Sequence, residues 1–558
     1  MATIEVSYED LMKLIGKKIP IDDLRDSGIL QVKGQIEDIK NGIMKIEVAD
    51  TNRPDLWSAE GIARELKGRY NMKSGLPKFN IKKGSTRLIV DKNVKDIRPL
   101  IAGAVIRDIK IDEEFLIQLI QLQEKIADNF GRKRKEIAIG LYDFDRIKEP
   151  LHYKAMDTKT KFVPLDFNKS LTLKQILEIH PKGIAYGHLI KEHNQYPILV
   201  DSNGVIASMP PVINSIITGK VTTETKNLFL EVTGNNFEYI NTALLIMVAA
   251  LHDRKGKVET ISVINGNKKT VTPVFKNKSI NVDLDFINQR TGLDLKKQDA
   301  INLLKKCRCD AVSSGNKIKV TYPAYRQDIL HQADIVEDVL ICYGYNNINP
   351  EYVKISATGS LRKIGMFSDK IAYALTGFKA QEILSYTLTN KDNLFKKMNL
   401  VESKVIEIEN PVSKTWSVFR TSIIPSIMEF LSKNTNKDYP QQVFEIGNVI
   451  IPDNKEETRS KDVMTLAWAL SDSKADFTRA KQVLDYLINH LGFKYNIEEL
   501  EHESFISGRS GRIIIKGKKI GIIGEVRPEV LINWNLEMPA AVFEIDLNEL
   551  HKLVKKFR

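Results

Sequence analysis

The densest group of chemistry-bearing side chains in this 558-residue chain is acidic. In the run Tyr325-Arg-Gln-Asp328-Ile-Leu-His-Gln-Ala-Asp334-Ile-Val-Glu337-Asp338, four carboxylates fall close together. A helix beginning near Asp334 puts Asp334, Glu337 and Asp338 at i, i+3 and i+4 on one turn, and Asp328 in the preceding loop can approach the same spot. Like charges at that spacing oppose helix formation by about 0.2–0.5 kcal/mol per pair unless a cation sits among them. Carboxylates without His or Cys suit a hard, oxygen-seeking ion, Mg²⁺ before Zn²⁺. A second reading stands beside the first: an acidic first turn complementing the helix dipole, with Ile335, Val336, Val339 and Leu340 turned to a core. Spacing alone leaves both open.

Around this run the chain reads strand, helix, helix, strand, helix: Ser279 to Val282, Leu284 to Arg290, Lys297 to Lys306, Lys317 to Tyr322 and Asp334 to Tyr343. Gly292 closes the first helix, and the whole is expected to form one small domain over 270–350. Upstream, residues 1–85 begin with β-type segments and reach Glu47-Val-Ala-Asp-Thr-Asn-Arg-Pro-Asp-Leu-Trp57, a polar turn whose Pro54 cannot sit inside a helix. Ser58 is expected to cap the helix that follows, with Ile62, Ala63 and Leu66 as its apolar stripe. Arg53 and Asp55 read as a turn-stabilising pair rather than catalytic groups. Residues 90–265 alternate helical pattern (Glu113 to Asn129) with strand-like runs at Ile137 to Leu141, Ile198 to Val200 and Leu228 to Val232. They end in an apolar helix, Tyr239 to Leu251, and fit a mixed α+β domain. Residues 355–558 interleave helices such as Phe477 to Leu491 with strands at Val443 to Ile446, Leu466 to Leu470, Ile513 to Ile515, Ile520 to Ile523 and Ala541 to Ile545, pointing to a large antiparallel sheet domain. Thr421 to Leu431 reads as an ordinary capped helix facing a core.

Composition narrows the class. Length exceeds what a single core sustains, so three or four domains are expected. With 42% hydrophobic and 28% charged residues, the chain is no disordered, collagenous or low-complexity sequence. No apolar run reaches 18 residues and the first residues lack a signal pattern, so a cytoplasmic protein without a membrane span is expected. Three cysteines, Cys307, Cys309 and Cys342, give neither a disulfide framework nor a zinc pattern, and Cys307-Arg-Cys309 reads as buried thiols near a helix end. Lys plus Arg number 83 against 71 Asp plus Glu, a net charge of +12 that suits a polyanion such as RNA and equally a Lys-rich composition bias. Arg132-Lys-Arg-Lys135 can touch RNA phosphates, and the plainer reading is a solvated charge run at a helix end.

Separate signatures, in family order, carry a resemblance over nearly the whole length. They are Asp50-Thr-Asn-Arg-Pro-Asp-Leu-Trp-Ser58 with Gly61-Ile-Ala-Arg-Glu-Leu66; Met209-Pro-Pro-Val-Ile-Asn-Ser215 with Thr225-Lys-Asn-Leu-Phe-Leu-Glu-Val-Thr-Gly234; Tyr325 to Tyr345; Phe419-Arg-Thr-Ser422 with Phe444-Glu-Ile-Gly447; and Gly524-Glu-Val-Arg-Pro-Glu529. The chain resembles the beta subunits of phenylalanyl-tRNA synthetase, of the shorter archaeal and eukaryotic-cytosolic type. The resemblance implies a multidomain α+β protein that works with the alpha subunit in an (αβ)₂ heterotetramer and supports ATP-dependent attachment of Phe to tRNA(Phe). It implies a small metal-contact domain over 270–350 in which Asp328, Asp334, Glu337 and Asp338 hold Mg²⁺ at the alpha contact.

The same resemblance makes 355–558 a class II synthetase-like domain without chemistry: Ile451 stands where a phosphate-binding Arg would fall, and no late Gly-rich segment ending in Arg follows. An apolar residue cannot neutralise developing phosphate charge, so no group catalytic for aminoacylation is expected on this chain. It makes 90–265 an editing domain that hydrolyses tyrosine mischarged onto the tRNA. A pocket built for Phe rejects one added hydroxyl only weakly, and a second site that hydrogen-bonds that hydroxyl can select Tyr. Candidate groups are Asn214, Ser215, Thr218, Glu231 and Thr233; Glu231 alternates with Leu230 and Val232 and so faces away from them, toward a ligand or toward solvent. The alternative is a free-standing tRNA-binding or scaffold protein without enzymatic output.

Overall fold

The computed structural model describes residues 2–353 and 355–554, so the last four residues of the expected 355–558 domain lie outside it. The chain divides into two compact units, the first reaching Tyr352 and the second beginning at Val353. The segments expected as 1–85, 90–265 and 270–350 all lie in the first.

That unit opens with a three-stranded antiparallel sheet in which Ile43–Val48 lies between Ala2–Ser7 and Gly34–Lys40. Ile4 faces Ile46 and Val6 faces Met44 across the first pair, so the alternating apolar positions form one covered face. The Ser58 side chain accepts a hydrogen bond from Gly61 N–H (3.0 Å) and starts the helix Ala59–Arg69. This helix departs from the one-sided stripe expected of it: Glu60, Arg64, Glu65 and Arg69 are buried along with Ile62, Ala63 and Leu66. Its polar face turns inward because each of those charges meets an opposite charge.

An eleven-stranded mixed sheet follows. Its strand Leu228–Gly234 runs antiparallel between Leu100–Arg107 and Ile137–Asp143, and every residue of it is buried. Leu228, Leu230 and Val232 join the core under the apolar helix Phe237–Asp253, while Phe229 packs with Val105 and Tyr142 on the opposite face. With both faces covered, alternation here separates two interiors rather than core from water. The first of those cores also contains Ile4, Ile62 and Tyr325, so residues from the N-terminal sheet and from the acidic run share it. The small sheet places Lys317–Tyr322 between Lys278–Asp283 and Asp310–Ser314, under the helices Leu284–Thr291, Lys297–Lys306 and Gln332–Tyr343. Gly292 ends the first of these at φ 71°, the left-handed closure its position suggested.

The second unit is built on a seven-stranded sheet, antiparallel except for the parallel edge pair Gln381–Glu382 and Gln441–Pro452. Trp468 and Phe543 stack at 5.1 Å on one face, under the helices Lys363–Gly377 and Phe477–His490. The helix Ile424–Ser432 covers the other face. It lacks the side-chain cap that was expected at its start. Instead the carboxylate of Glu544, from the strand Ala540–Asp546, accepts from Ile423 N–H (2.7 Å) and Ser422 Oγ (2.6 Å), an anion supplied to a helix start by a distant element.

Beside it, Arg420 pairs with Glu445 at 2.8 Å, both buried. A Cβ at Gly447 would lie 2.3 Å from Arg420 Nη2, so only glycine leaves the guanidinium its place. Gly447→Ala is expected to destabilise the second unit by about 1–3 kcal/mol through this overlap; a thermal unfolding midpoint equal to wild type would show that Arg420 has other room.

Candidate functional site

A cavity of about 380 Å³ opens against the Leu228–Gly234 strand, with Leu116, Leu119, Ile139, Leu141, Pro211 and Val221 among its apolar walls. That size lies within the range of about 300–1,000 Å³ usual for small-molecule sites. Glu231 lines it from the strand centre, only 2% exposed. The Tyr142 hydroxyl is hydrogen-bonded to Glu231 Oε1 (3.0 Å) and to Ser208 Oγ (2.7 Å), while Glu231 Oε2 is buried with no hydrogen-bond partner. Burial raises the carboxyl to about pH 7, against the Tyr142 bond and the Arg98 guanidinium, which pull it down. The strand that pairs with Glu231 contributes Gly140, where a Cβ would lie 2.6 Å from Glu231 Oε1. The solvated strand face is therefore excluded: Glu231 is buried on the wall of a mainly apolar cavity.

The other candidates separate. Asn214 lines the same cavity and donates from Nδ2 to Leu141 O (3.0 Å). Ser215 is fully buried and its Oγ accepts from Ile217 N–H (3.2 Å), holding the turn after the Pro-Pro loop. Thr218 is also fully buried, its carbonyl accepting from Asp143 N–H (2.8 Å). Thr233 is bound by Arg98 through both Oγ1 (2.9 Å) and its carbonyl (2.7 Å). None of these three lines the cavity. Sequence reasoning missed Tyr142, Ser208 and Arg134. Arg134 reaches back from the charge run to line the cavity, donating to Val212 O (2.9 Å) and Pro211 O (3.1 Å). No local pattern distinguishes it from its exposed neighbours Arg132, Lys133 and Lys135.

The acidic run is organised by a cation inside it. Arg326 is buried and donates to both oxygens of Asp328, and its Nη1 reaches Asp338 Oδ2 at 2.7 Å. Burial pushes the Asp328 carboxyl up, but Arg326 and Arg53 outweigh it and hold it at about 2. Asp334 sits in the first turn of Gln332–Tyr343 and its Oδ2 accepts from Leu330 N–H (2.8 Å) and His331 N–H (2.7 Å), closing a capping box. Glu337 lies outside, paired with Lys33 at 2.9 Å. The i, i+3, i+4 spacing thus does not bring the carboxylates together: Asp338 points into the core, Glu337 toward solvent, and Asp334 back along the chain.

Arg53 and Asp55 form the expected pair, with two hydrogen bonds of 2.9 and 2.8 Å, and it extends further. Arg53 lies 3.5 Å from Glu65 and 3.9 Å from Asp328, and Arg69 lies 3.6 Å from Glu65. A continuous buried network therefore joins the turn at 53–55, the helix Ala59–Arg69 and the acidic run.

Family models match three stretches: "Phenylalanyl tRNA synthetase beta chain CLM domain" at 348–547, "tRNA synthetase B5 domain" at 280–345 and "B3/4 domain" at 118–244. The Phenylalanine–tRNA ligase beta subunit of Pyrococcus horikoshii is 47% identical, covering 99% of this chain and 100% of the relative. The chain belongs to the phenylalanine–tRNA ligase beta subunits. The subunit of that name from Methanocaldococcus jannaschii is 38% identical over 98% of this chain and all of its own. The crystal structure of an N-terminal fragment of the Pyrococcus horikoshii phenylalanyl-tRNA synthetase beta subunit superposes with a TM-score of 0.60 at 46% identity, covering 62% of this chain and 100% of the fragment.

Within this beta subunit, the cavity wall Gln123–Glu231 falls inside the B3/4 match and the acidic run inside the B5 match. The magnesium ion that the family resemblance attaches to the acidic run does not fit the residues as they stand. Among the described residues no group of three or more His, Cys, Asp or Glu side chains is placed to hold a metal. Arg326, the backbone N–H groups of Leu330 and His331, and Lys33 already occupy the carboxylates that would do so.

Two outcomes follow for the beta subunit. Arg326→Ala leaves Asp338 buried without its counter-ion and Asp328 with only Arg53 at 3.9 Å, and is expected to cost about 3–5 kcal/mol, read as a lowered thermal midpoint; a loss no larger than that of a surface substitution would refute the network's weight. Glu231 binds its proton more tightly folded than unfolded, so the native state holds an extra proton between the ordinary value of 4.5 and about 7 and loses stability as pH rises through that window. Glu231→Gln should remove that fall, on the order of 3 kcal/mol, from stability measured between pH 4.5 and 7.5. Parallel pH profiles for wild type and variant would contradict it.

Proposed function

We propose that the chain is the editing and scaffolding subunit of a phenylalanine–tRNA ligase, assembled with an alpha subunit as an (αβ)₂ heterotetramer acting on tRNA(Phe) in the cytoplasm. Attachment of Phe, with its ATP chemistry, belongs to the alpha subunit. In support, Ile451 is an apolar side chain 40% exposed on the strand Gln441–Pro452. The buried Arg420 of the same unit is engaged by Glu445 and Ser385. Neither offers a free cation to an α-phosphate.

The editing reading rests on one observation: Glu231 Oε2, buried and without a partner, on the wall of a mainly apolar cavity. A tyrosyl side chain entering there finds apolar walls for its ring and an acceptor for its phenolic O–H, whereas a phenylalanyl ring leaves Glu231 unsatisfied. Tyr142, itself hydrogen-bonded to Ser208, fixes the carboxylate from behind through Oε1, so Oε2 remains for the ligand. Arg134 and Lys182, which also line the cavity, supply positive charge suited to the phosphates of a tRNA end. A free-standing tRNA-binding scaffold gives the buried carboxylate no role.

With the chain reconstituted with its alpha subunit, Glu231→Ala is expected to slow hydrolysis of Tyr-tRNA(Phe) by roughly one to two decades, the loss of a hydrogen bond to a charged group at about 1.5–3 kcal/mol. Phe attachment should stay near the wild-type rate. Unchanged Tyr-tRNA hydrolysis in the folded variant would sink the editing role of Glu231, and an equal fall in Phe attachment would make it a structural residue.

A further inference from the structure

A second cavity of about 380 Å³ lies in the first unit, with none of its lining residues shared with the Glu231 cavity. Its walls carry five cations, Arg64, Lys67, Lys73, Lys78 and Arg308, against two carboxylates, Glu60 and Asp253. Both carboxylates are already paired, Glu60 with Arg254 at 2.6 Å and Asp253 with Arg64 at 2.8 Å. Among the described residues, Lys67, Lys73, Lys78 and Arg308 form no ion pair within 4.0 Å. His252 on the wall adds no charge at neutral pH, because burial holds its imidazole below the ordinary range.

Arg308 is the decisive group. It is 6% exposed, and its Nε–H has no hydrogen-bond partner while Nη1 donates to Lys73 O at 2.5 Å. A buried guanidinium N–H left unmatched is costly, and the natural complement to its planar fork is a carboxylate or phosphate. The residue is held at φ 58°, in the left-handed region that L side chains avoid. The helix Ala59–Arg69 packs against it so closely that a Cβ at Gly68 would lie 2.9 Å from Arg308 Cδ. Residues 73–76 are bolted to the same corner, Gly75 N–H donating to Lys305 O (2.8 Å) and Leu76 N–H to Asp310 Oδ1 (3.1 Å). The arrangement is fixed and uncompensated. Burial, together with Lys73, Arg308 and Arg64 and in spite of Asp253, also holds the Lys67 ammonium below its ordinary range, as expected where positive charges outnumber negative ones.

We propose that this cavity binds a small phosphorylated molecule, whose phosphate oxygens meet Arg308 Nε–H and the Lys67 ammonium while Lys73 and Lys78 close over it from the rim. The unmatched donor lies on a side chain almost wholly buried, so the anion must enter the cavity, which a terminal or free phosphate does more readily than a phosphodiester within an RNA strand. The half-buried Phe79 ring on the wall offers an apolar surface to the rest of the ligand.

The test is calorimetric titration of the full chain with inorganic pyrophosphate, with AMP, and with a short single-stranded RNA lacking terminal phosphates. Wild type should bind pyrophosphate or AMP saturably. The Lys67→Gln, Lys73→Gln double variant, in which neither side chain makes a hydrogen bond in the native protein, should fold normally by circular dichroism and bind at least about tenfold more weakly. Arg308→Lys, which keeps the charge but loses the fork, should fall between the two. Absence of saturable binding by either phosphate compound, or equal affinity in wild type and double variant, overturns the proposal. Lysine-dependent binding of the unphosphorylated RNA alone overturns it in favour of a nucleic-acid backbone site.

Discussion

Arg326 is the side chain on which the first unit turns. It is buried between Asp328 and Asp338, and Arg53 approaches the same Asp328 from a turn some 270 residues earlier in the chain. Ions taken out of water are tolerated only when geometry and hydrogen bonding compensate for lost hydration, so each group in this network requires the others in place. Several features follow. The helix Ala59–Arg69 can be buried on its charged side because Glu65 is flanked by Arg53 and Arg69. Tyr325, next to Arg326, is drawn into the main core with Arg64 lying 5.0 Å over its ring. Among the described residues the carboxylates of the acidic run are engaged within the chain, by Arg326, by Lys33 and by the backbone N–H groups of Leu330 and His331.

Glu231 obeys the same physics with the opposite result. Asp328 and Glu231 are both largely removed from solvent, yet one titrates at about 2 and the other at about 7. The difference is the counter-ion: two guanidiniums stand against Asp328, whereas Glu231 has a tyrosine hydroxyl in contact and Arg98 committed to Thr233. Glu231 is held by Tyr142 through Oε1, yet it costs stability at neutral pH and keeps Oε2 unmatched. A perturbed, incompletely matched carboxyl of this kind is what marks a candidate functional group. Arg308 presents the cationic version of this contrast, set beside Arg64, whose charge is met by Asp253.

The elements themselves were legible in the sequence. The strands read at 137–141, 228–232 and 317–322, which form as Ile137–Asp143, Leu228–Gly234 and Lys317–Tyr322, the apolar helix that became Phe237–Asp253, the Ser58 cap and the Gly292 closure are each dictated by side-chain periodicity or by a backbone preference within a few residues. The resemblance borne by the Asp50 to Ser58 and Tyr325 to Tyr345 motifs identified the family, and Glu231 was singled out because its carboxylate interrupts an apolar strand. Its surroundings were not: period-two alternation says that Glu231 and Leu230 point apart, and is silent on whether the far side is water or a second core.

Tertiary structure alone decided where charges found their partners. Asp334, Glu337 and Asp338 share one helical turn, but Asp334 bonds to the backbone before it, Glu337 to Lys33 and Asp338 to Arg326. Arg134 turns inward from a run whose other members stay in solvent, and the start of Ile424–Ser432 is served by Glu544 from a strand more than a hundred residues later. Local sequence fixes the dihedral angles and the apolar face of an element because those depend on neighbours along the chain. The partner of a buried charge depends on which distant segment packs against it, and only the folded chain brings that segment near.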